Sequence, residues 1–386
     1  MNLSRLALSL GQSATLKLNE LANNLKAEGK PVIHLGGGEP EEKIPGGAFS
    51  ESKKMLDAGF VRYTPVSGTA PLKKEIAAYT EEHYGVKPGP KNIVVASGAK
   101  QAIYNFLVSV VDPGDQVVFP APYWVSYPEM VRLAYGMPVI VRPPEGELLV
   151  SAADIASHLT SSTKAILLNS PNNPSGQVYS KDFIRELVEI CESRNIYLLM
   201  DDIYNRLVFD GLKAPSAFNF STRPLNESII VSINGVSKTF SMTGYRIGWS
   251  VANEALTQAM IKVQAQVSSC PSALSQAAAA GALREGNGFV DTLRSSLEHK
   301  RDVMVAELSK LKKVKLHKPQ GTFYSFPDFS AYDKDSTRLS NTLLEKGMVV
   351  TVPGVEFGLE GHLRLSYCGA EKDMVEGVSR IRKILD

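Results

Sequence analysis

Seven short apolar runs recur along the chain and restrict the folds open to it: NIVVASG (92–98), QVVFP (116–120), PVIV (138–141), KAILLNS (164–170), YLLMDD (197–202), IIVSING (229–235) and RIGWSVA (246–252). They are continuously apolar rather than alternating. A strand of that kind is covered on both faces, as in a largely parallel sheet held between helices. The intervening segments have helical spacing, for example KQAIYNFLVSVV (100–111) and KDFIRELVEICESRN (181–195). Strand and helix thus alternate in a βαβ rhythm. Past residue 282 the pattern changes: LREGNGFVDTLRSSLEHKRDVMVAELSKL (283–311) reads as one long amphipathic helix leading into a shorter α+β tail. A chain of 386 residues exceeds the usual single domain. The expected division is an N-terminal arm (1–12), a large domain (47–282) and a smaller α+β domain built from 13–46 and 283–386. No repeat of solenoid period is present.

Composition removes several function classes. The formal net charge is only +2, which does not indicate a nucleic-acid groove or an anionic membrane surface as partner. No uninterrupted apolar stretch reaches the ~18 residues of a membrane span, and the N-terminal LALSL lacks the flanks of a signal peptide. Cys191, Cys270 and Cys368 are odd in number and far apart, which fits a reducing cytosol better than a disulfide framework. The histidines form no HExxH or similar pair, so no metal is expected. The sequons at Asn219 and Asn226 carry little weight without a secretory signal. The expected location is the cytoplasm.

In open sheets of this class, ligands bind beyond the carboxyl ends of the strands. Here those ends read SGAK, NSPNNPSG, DDIY and NGVSK. GVSKT (235–239) has the wrong glycine spacing for a P-loop, no GxGxxG follows the first strand, and no GxSxG elbow exists. What remains is an amine, Lys238, among small residues, an arginine eight positions on, a glycine before a helix that suits a phosphate, and a buried carboxylate. A partly buried lysine near an arginine can condense with an aldehyde. A buried carboxylate needs a partner, and a protonated pyridine nitrogen supplies one. These are the requirements for holding pyridoxal 5'-phosphate.

With those residues in view, the chain resembles the class I and II aminotransferases, specifically the aspartate aminotransferase family of fold-type-I pyridoxal-phosphate enzymes. The resemblance runs from LGGGEP (35–40) to RLSY (364–367), through YTPVSGTAPLKKEIA (63–77), PYWVSYPEM (122–130), SPNNPSG (170–176), DDIYNRL (201–207) and SKTFSMTGYRIGW (237–249). It implies the following roles. Lys238 would carry the cofactor covalently and shuttle the substrate proton. Asp201 would face the ring nitrogen, with Asp202 its solvent-side neighbour. Asn173 and Tyr204 would bond the phenolic oxygen, and Trp124 would stack on the ring. The phosphate would take the amides of Ala99 and Lys100, with Ser237 and Arg246, and Tyr63 would reach it from the neighbouring subunit of a homodimer. Arg364 would clamp the substrate α-carboxylate with Asn173 and Gly38. Taken singly, Trp124, Tyr204, Asn173 and Arg364 read more readily as packing, core, turn and exposed-strand residues. One cofactor explains all four at once.

The chain departs from the family pattern in places. Gly235 stands where many members carry a phosphate-binding serine, and GEPEEKIPGG (38–47) replaces the commoner GEPDF. KVQAQVSSCP (262–271) lacks the arginine that some members use for a second substrate carboxylate. Lys100 is the candidate to meet that carboxylate instead. The expected activity is transamination between aspartate or glutamate and a 2-oxo acid. The alternatives are a donor that is aromatic, alanine or otherwise neutral, or a C–S β-lyase. The aminotransferase-like module of a transcription regulator would require an N-terminal helix-turn-helix domain, for which the residues before LGGGEP leave no room.

Overall fold

All seven apolar runs become strands of one sheet in the computed structural model, which describes residues 3–11 and 14–386. In chain order the first eight strands are β1 (Ile33–His34), β2 (Ile93–Ala96), β3 (Gln116–Pro120), β4 (Met137–Val141), β5 (Thr163–Asn169), β6 (Tyr197–Asp201), β7 (Ile230–Gly235) and β8 (Gly248–Val251). Strands β2 to β8 form the sheet in the order β2-β8-β7-β6-β5-β3-β4. All neighbours are parallel except at β8, which runs against both β2 and β7.

Successive residues of these strands serve opposite cores. Leu167 and Leu199 pack with Phe106 and Val231 on one face. Ile166, Leu168, Leu198 and Met200 pack with Ile184 and Leu187 on the other. Fully burying such a side chain contributes about 1.5–3 kcal/mol, so both faces favour apolar residues, and the few polar ones, such as Ser232 and Asn234, are buried with hydrogen-bond partners. That is why the runs do not alternate.

The remaining strands are β9 (Tyr324–Ser325), β10 (Val349–Val350), β11 (Val352–Pro353) and β12 (Leu363–Ser366). β12 lies antiparallel between β9 and β11, and β1 pairs in parallel with β10. The segment before residue 46 is thereby stitched to the C-terminal part of the chain. Their shared core includes Leu35, Leu297, Met304, Val349 and Ile381, and it also takes Tyr204, Leu207 and Phe209 from the loop after β6. The expected arm boundary at 12/13 lies outside the described residues.

The expected single helix over 283–311 is corrected. One helix, Ala273–Glu285, ends there, and a second, Asn287–Leu308, starts after Gly286. The first is anchored by a close crossing with the helix Gly46–Asp57, where Gly281 lies against the Gly47 backbone with no room for a side chain. The second turns into the C-terminal core through Leu293, Leu297 and Met304. Gly286 stands between them, where a Cβ would come within 3.0 Å of the Leu283 carbonyl and 3.2 Å of Phe240 Cε1. Among the described residues no helix is long and apolar enough to cross a membrane.

Candidate active site

Because β2, β5, β6 and β7 run the same way, their carboxyl ends open on one edge of the sheet. Asp201 is the last residue of β6 and is buried. Its Oδ2 accepts a hydrogen bond from the Tyr127 hydroxyl at 2.5 Å, while Oδ1 is buried with no partner. Burial pushes its pKa up to about 6, against the Tyr127 and Ile203 hydrogen bonds and the charge of Lys238. A half-satisfied carboxylate at this depth is costly unless a cationic donor meets it.

Lys238 follows β7 by three residues. Its Nζ donates to the Gly38 carbonyl at 2.6 Å and stands 5.8 Å from the centroid of the Phe323 ring. Burial holds its pKa down at about 8; Cys368 and Glu39 pull it up, and Arg364 and Arg246 push it further down. About a tenth of the amine is then neutral at pH 7, against well under a thousandth for a free lysine.

Arg364 lies on β12 and is only 2% exposed. Its Nη1 donates to Asn173 Oδ1 and its Nη2 to the Gly36 carbonyl, both at 3.0 Å. Nε is buried with no partner. The guanidinium lies 4.3 Å from the Tyr324 ring centroid and 5.0 Å from that of Phe357. Asn173 is fixed in turn: its N–H donates to Asn169 Oδ1 at 2.7 Å, and Asn169 Nδ2 donates to the Asp201 carbonyl at 2.8 Å. Tyr204 donates to the Tyr324 hydroxyl at 3.5 Å, and that hydroxyl leaves no space for a side chain at Gly38.

A second group of residues gathers at the start of the helix Ala99–Val110, whose buried Ala102, Ile103, Phe106 and Leu107 anchor one face. Its N-cap is Gly98, at φ 88°, with no side chain to cap the Ala99 and Lys100 amides. A Cβ at Gly98 would stand 2.7 Å from Arg246 Nη2, so the guanidinium lies against the helix start. Gly248 lets Gly98 and Ala99 rest on the backbone of β8, and Ser237 is buried beside Lys238. Lys100 Nζ stands 4.9 Å from the centroid of the Trp124 ring, which meets Tyr127 edge-on at 5.5 Å. Partial burial and Arg246 hold the Lys100 ammonium below its ordinary pKa. Uncapped amides, a helix dipole and two cations make an anion site.

The structure therefore brings together Gly38, Ala99, Lys100, Trp124, Asn173, Asp201, Tyr204, Ser237, Lys238, Arg246 and Arg364. Tyr63 stands apart, 94% exposed beside Val61, Cys270 and Pro271. Asp202 is corrected: it is buried, not on the solvent side, and its Oδ2 accepts from Ser232 Oγ at 2.7 Å. Burial pushes its pKa well above the carboxylate range. Tyr127, Asn169 and Tyr324 were not expected here. Each acts through a contact distant in sequence, which periodicity does not encode.

The family model for class I and II aminotransferases matches residues 30–381. The chain belongs to that family. This aminotransferase is 38% identical to the probable aspartate/prephenate aminotransferase of Aquifex aeolicus, over 98% of its own length and 97% of the relative's. It is 35% identical to the aspartate aminotransferase of Bacillus subtilis, covering 100% of its own chain and 99% of the other. Among solved structures, the Thermus thermophilus aspartate aminotransferase with maleate is similar at TM-score 0.95 and 33% identity, with all of both chains covered. The Rhizobium meliloti enzyme is similar at TM-score 0.95 and 34% identity, covering 100% and 99%. The aminotransferase uses pyridoxal 5'-phosphate. The residues present fit that group: the orphaned Asp201 Oδ1 suits a pyridinium N–H, the amine of Lys238 suits the aldehyde, and the cradle at Gly98 suits the phosphate.

Proposed function

We propose that this aminotransferase exchanges an amino group between aspartate or glutamate and a 2-oxo acid in two half-reactions, as a cytoplasmic homodimer with shared sites. The division into a large domain (47–282), a small domain (13–46 with 283–386) and an arm belongs to the same reading. The observation that carries it is the presence of two unspent buried valences in one site, Asp201 Oδ1 and Arg364 Nε, with the half-buried amine of Lys238 also in that site. The first calls for a cationic ring donor and the second for a carboxylate. The names of the relatives support an acidic substrate.

When bound, the cofactor supplies an aldehyde for the amine and a ring that withdraws electrons from the substrate Cα. Everything else falls to the chain. Asp201, kept anionic by a cationic donor, keeps the ring nitrogen protonated. Tyr204 and Asn173 would hold the phenolic oxygen, and Trp124 would pack on the ring. Ala99, Lys100, Ser237 and Arg246 would hold the phosphate, with Tyr63 of the second copy. Arg364 pairs with the α-carboxylate, a charge-assisted bond whose fork geometry fixes the orientation of the Cα–H. The Lys238 amine would be the group that accepts the Cα proton and holds it within the site.

A panel of amino donors tests the substrate class, with 2-oxoglutarate as acceptor for every donor except glutamate, oxaloacetate as acceptor for glutamate, and prephenate, itself a dicarboxylate, as a further acceptor. Aspartate and glutamate are expected to lead. Alanine or aromatic donors leading would overturn the acidic assignment.

Lys100 is proposed to meet the distal carboxylate, in the absence of any arginine in 262–271. A charge-assisted hydrogen bond contributes about 1.5–3 kcal/mol, or about 10- to 150-fold in kcat/KM. Lys100→Ala should lower kcat/KM for aspartate and glutamate by about that factor and for alanine much less. An equal loss for all donors would put Lys100 at the phosphate alone.

The shared site is tested by mixing chains. A Tyr63→Phe chain refolded with a Lys238→Ala chain should form hybrids with one doubly damaged and one intact site, and activity should return. No recovery in verified mixed dimers would refute the sharing.

A further inference from the structure

His34 touches no proposed substrate group, yet two hydrogen bonds through Gly36 link it to the residue proposed to hold one. Its Nδ1 accepts from the Gly36 N–H at 3.2 Å, and the Gly36 carbonyl accepts from Arg364 Nη2 at 3.0 Å. An accepting Nδ1 requires the neutral ring with its proton on Nε2. Little slack exists: a Cβ at Gly36 would stand 3.3 Å from His34 Cε1 and 3.2 Å from Val352 Cγ2. Val352 is itself the register partner of Arg364 across β11 and β12. The segment that meets Arg364 is thus pinned between the histidine ring and β11. The ring also borders a surface cavity lined by Lys26, Glu39, Glu41 and Asp373, so water can bring it a proton.

We propose that His34 is a positioning residue for the substrate α-carboxylate: while neutral it holds the Gly36 carbonyl, and through it the Arg364 guanidinium, in the clamp geometry. This rests on the reading of Arg364 as the carboxylate clamp. A proton on Nδ1 turns the acceptor into a donor facing the Gly36 N–H, which releases the segment. The groups facing the ring are Lys26 from the helix Ala14–Ala27, Arg364 from β12, and the acids Glu39, Glu41 and Asp373 around the cavity. Burial first, then Lys26 and Arg364, hold the ring's pKa below its ordinary 6.5, against its own backbone hydrogen bond. The clamp is therefore intact above that pH and loosens as pH falls through a lower value.

The test is steady-state kinetics of the cofactor-loaded enzyme from pH 5 to 8, with KM and kcat read separately for the amino donor and the 2-oxo acid. His34→Ala is expected to raise KM about 10-fold for both substrates, since both carry the α-carboxylate, with kcat within about twofold. His34→Asn keeps an oxygen able to accept the N–H two residues on. It is expected to restore KM to within about threefold and to abolish the rise in KM expected of the parent as pH falls through the lowered value. Asp201, held anionic by its cationic partner in the loaded enzyme, is unchanged in both variants, so any contribution it makes is common to parent and variant. Arg364→Ala is measured alongside and should raise KM more than either. An unchanged KM in His34→Ala beside a large rise in Arg364→Ala overturns the role of His34 alone. No rise in Arg364→Ala overturns the clamp reading and the inference with it. Should His34→Ala not fold, a pH-dependent rise in KM that persists in His34→Asn is sufficient to reject the proposal.

Discussion

Lys238→Ala is expected to abolish turnover, by about four orders of magnitude or more, and with it the covalent attachment of the cofactor. The size of the effect follows from what else surrounds that point. Tyr204 is buried and its hydroxyl is held well above its ordinary pKa, and burial pushes the Cys368 thiol up as well. Neither can accept the substrate proton near neutrality. Lys100 is an amine of lowered pKa, but its Nζ lies over Trp124. Only Lys238 is held down at about 8 while it faces the Gly38 carbonyl within the site. Borohydride reduction followed by peptide mass analysis should mark the peptide carrying Lys238 in the parent and nothing in the variant. A marked lysine elsewhere in the variant, at parental occupancy, would move the attachment site.

Asp201→Asn should have the second largest effect, and its two readouts should move in opposite directions. Breaking one side of a buried ion pair costs about 3–5 kcal/mol, so kcat/KM should fall by about 10²- to 10⁴-fold. The cofactor-free protein should respond differently. There the Asp201 carboxyl has a pKa of about 6, raised by burial from 3.8. Between those values the folded chain holds a proton that the unfolded chain has lost. The carboxyl's contribution to stability therefore declines as pH rises through that window and is least favourable above it. Removing the charge should raise the melting temperature of the cofactor-free protein at pH 7.5, and the gain should shrink toward pH 4. A cofactor-free variant that melts no higher than the parent at pH 7.5 would mean that Asp201 finds a partner without the cofactor.

The central sheet was legible in the sequence because burial on two faces leaves a direct record: its strands are mostly apolar without strict alternation. The residues just past those runs were legible as chemistry because they interrupt that record with Asp201, Asn173 and Lys238. Their individual roles came from the resemblance to a family, not from spacing. Tyr127 was invisible as the partner of Asp201 because 74 residues separate them. Asn169 and Tyr324 likewise act through pairs that form only when strands and loops assemble. Asp202 was assigned to solvent although the step from one strand residue to the next merely changes face, and here the other face is also covered. The break at Gly286 was missed because the apolar spacing continues on both sides of it. The exposure of Tyr63 was also unreadable, since a lone tyrosine between Arg62 and Thr64 carries no periodicity that would set its burial.

The measurement that bears most directly on the central claim is a half-reaction. The cofactor-loaded enzyme is mixed with excess glutamate and no 2-oxo acid, and 2-oxoglutarate and ammonia are both quantified. Transamination predicts one equivalent of 2-oxoglutarate per site, then a halt, with no ammonia, and with the amino group recovered as aspartate when oxaloacetate is added. Continued release of 2-oxo acid with ammonia, or no release at all, would contradict the assignment of this site to amino-group transfer.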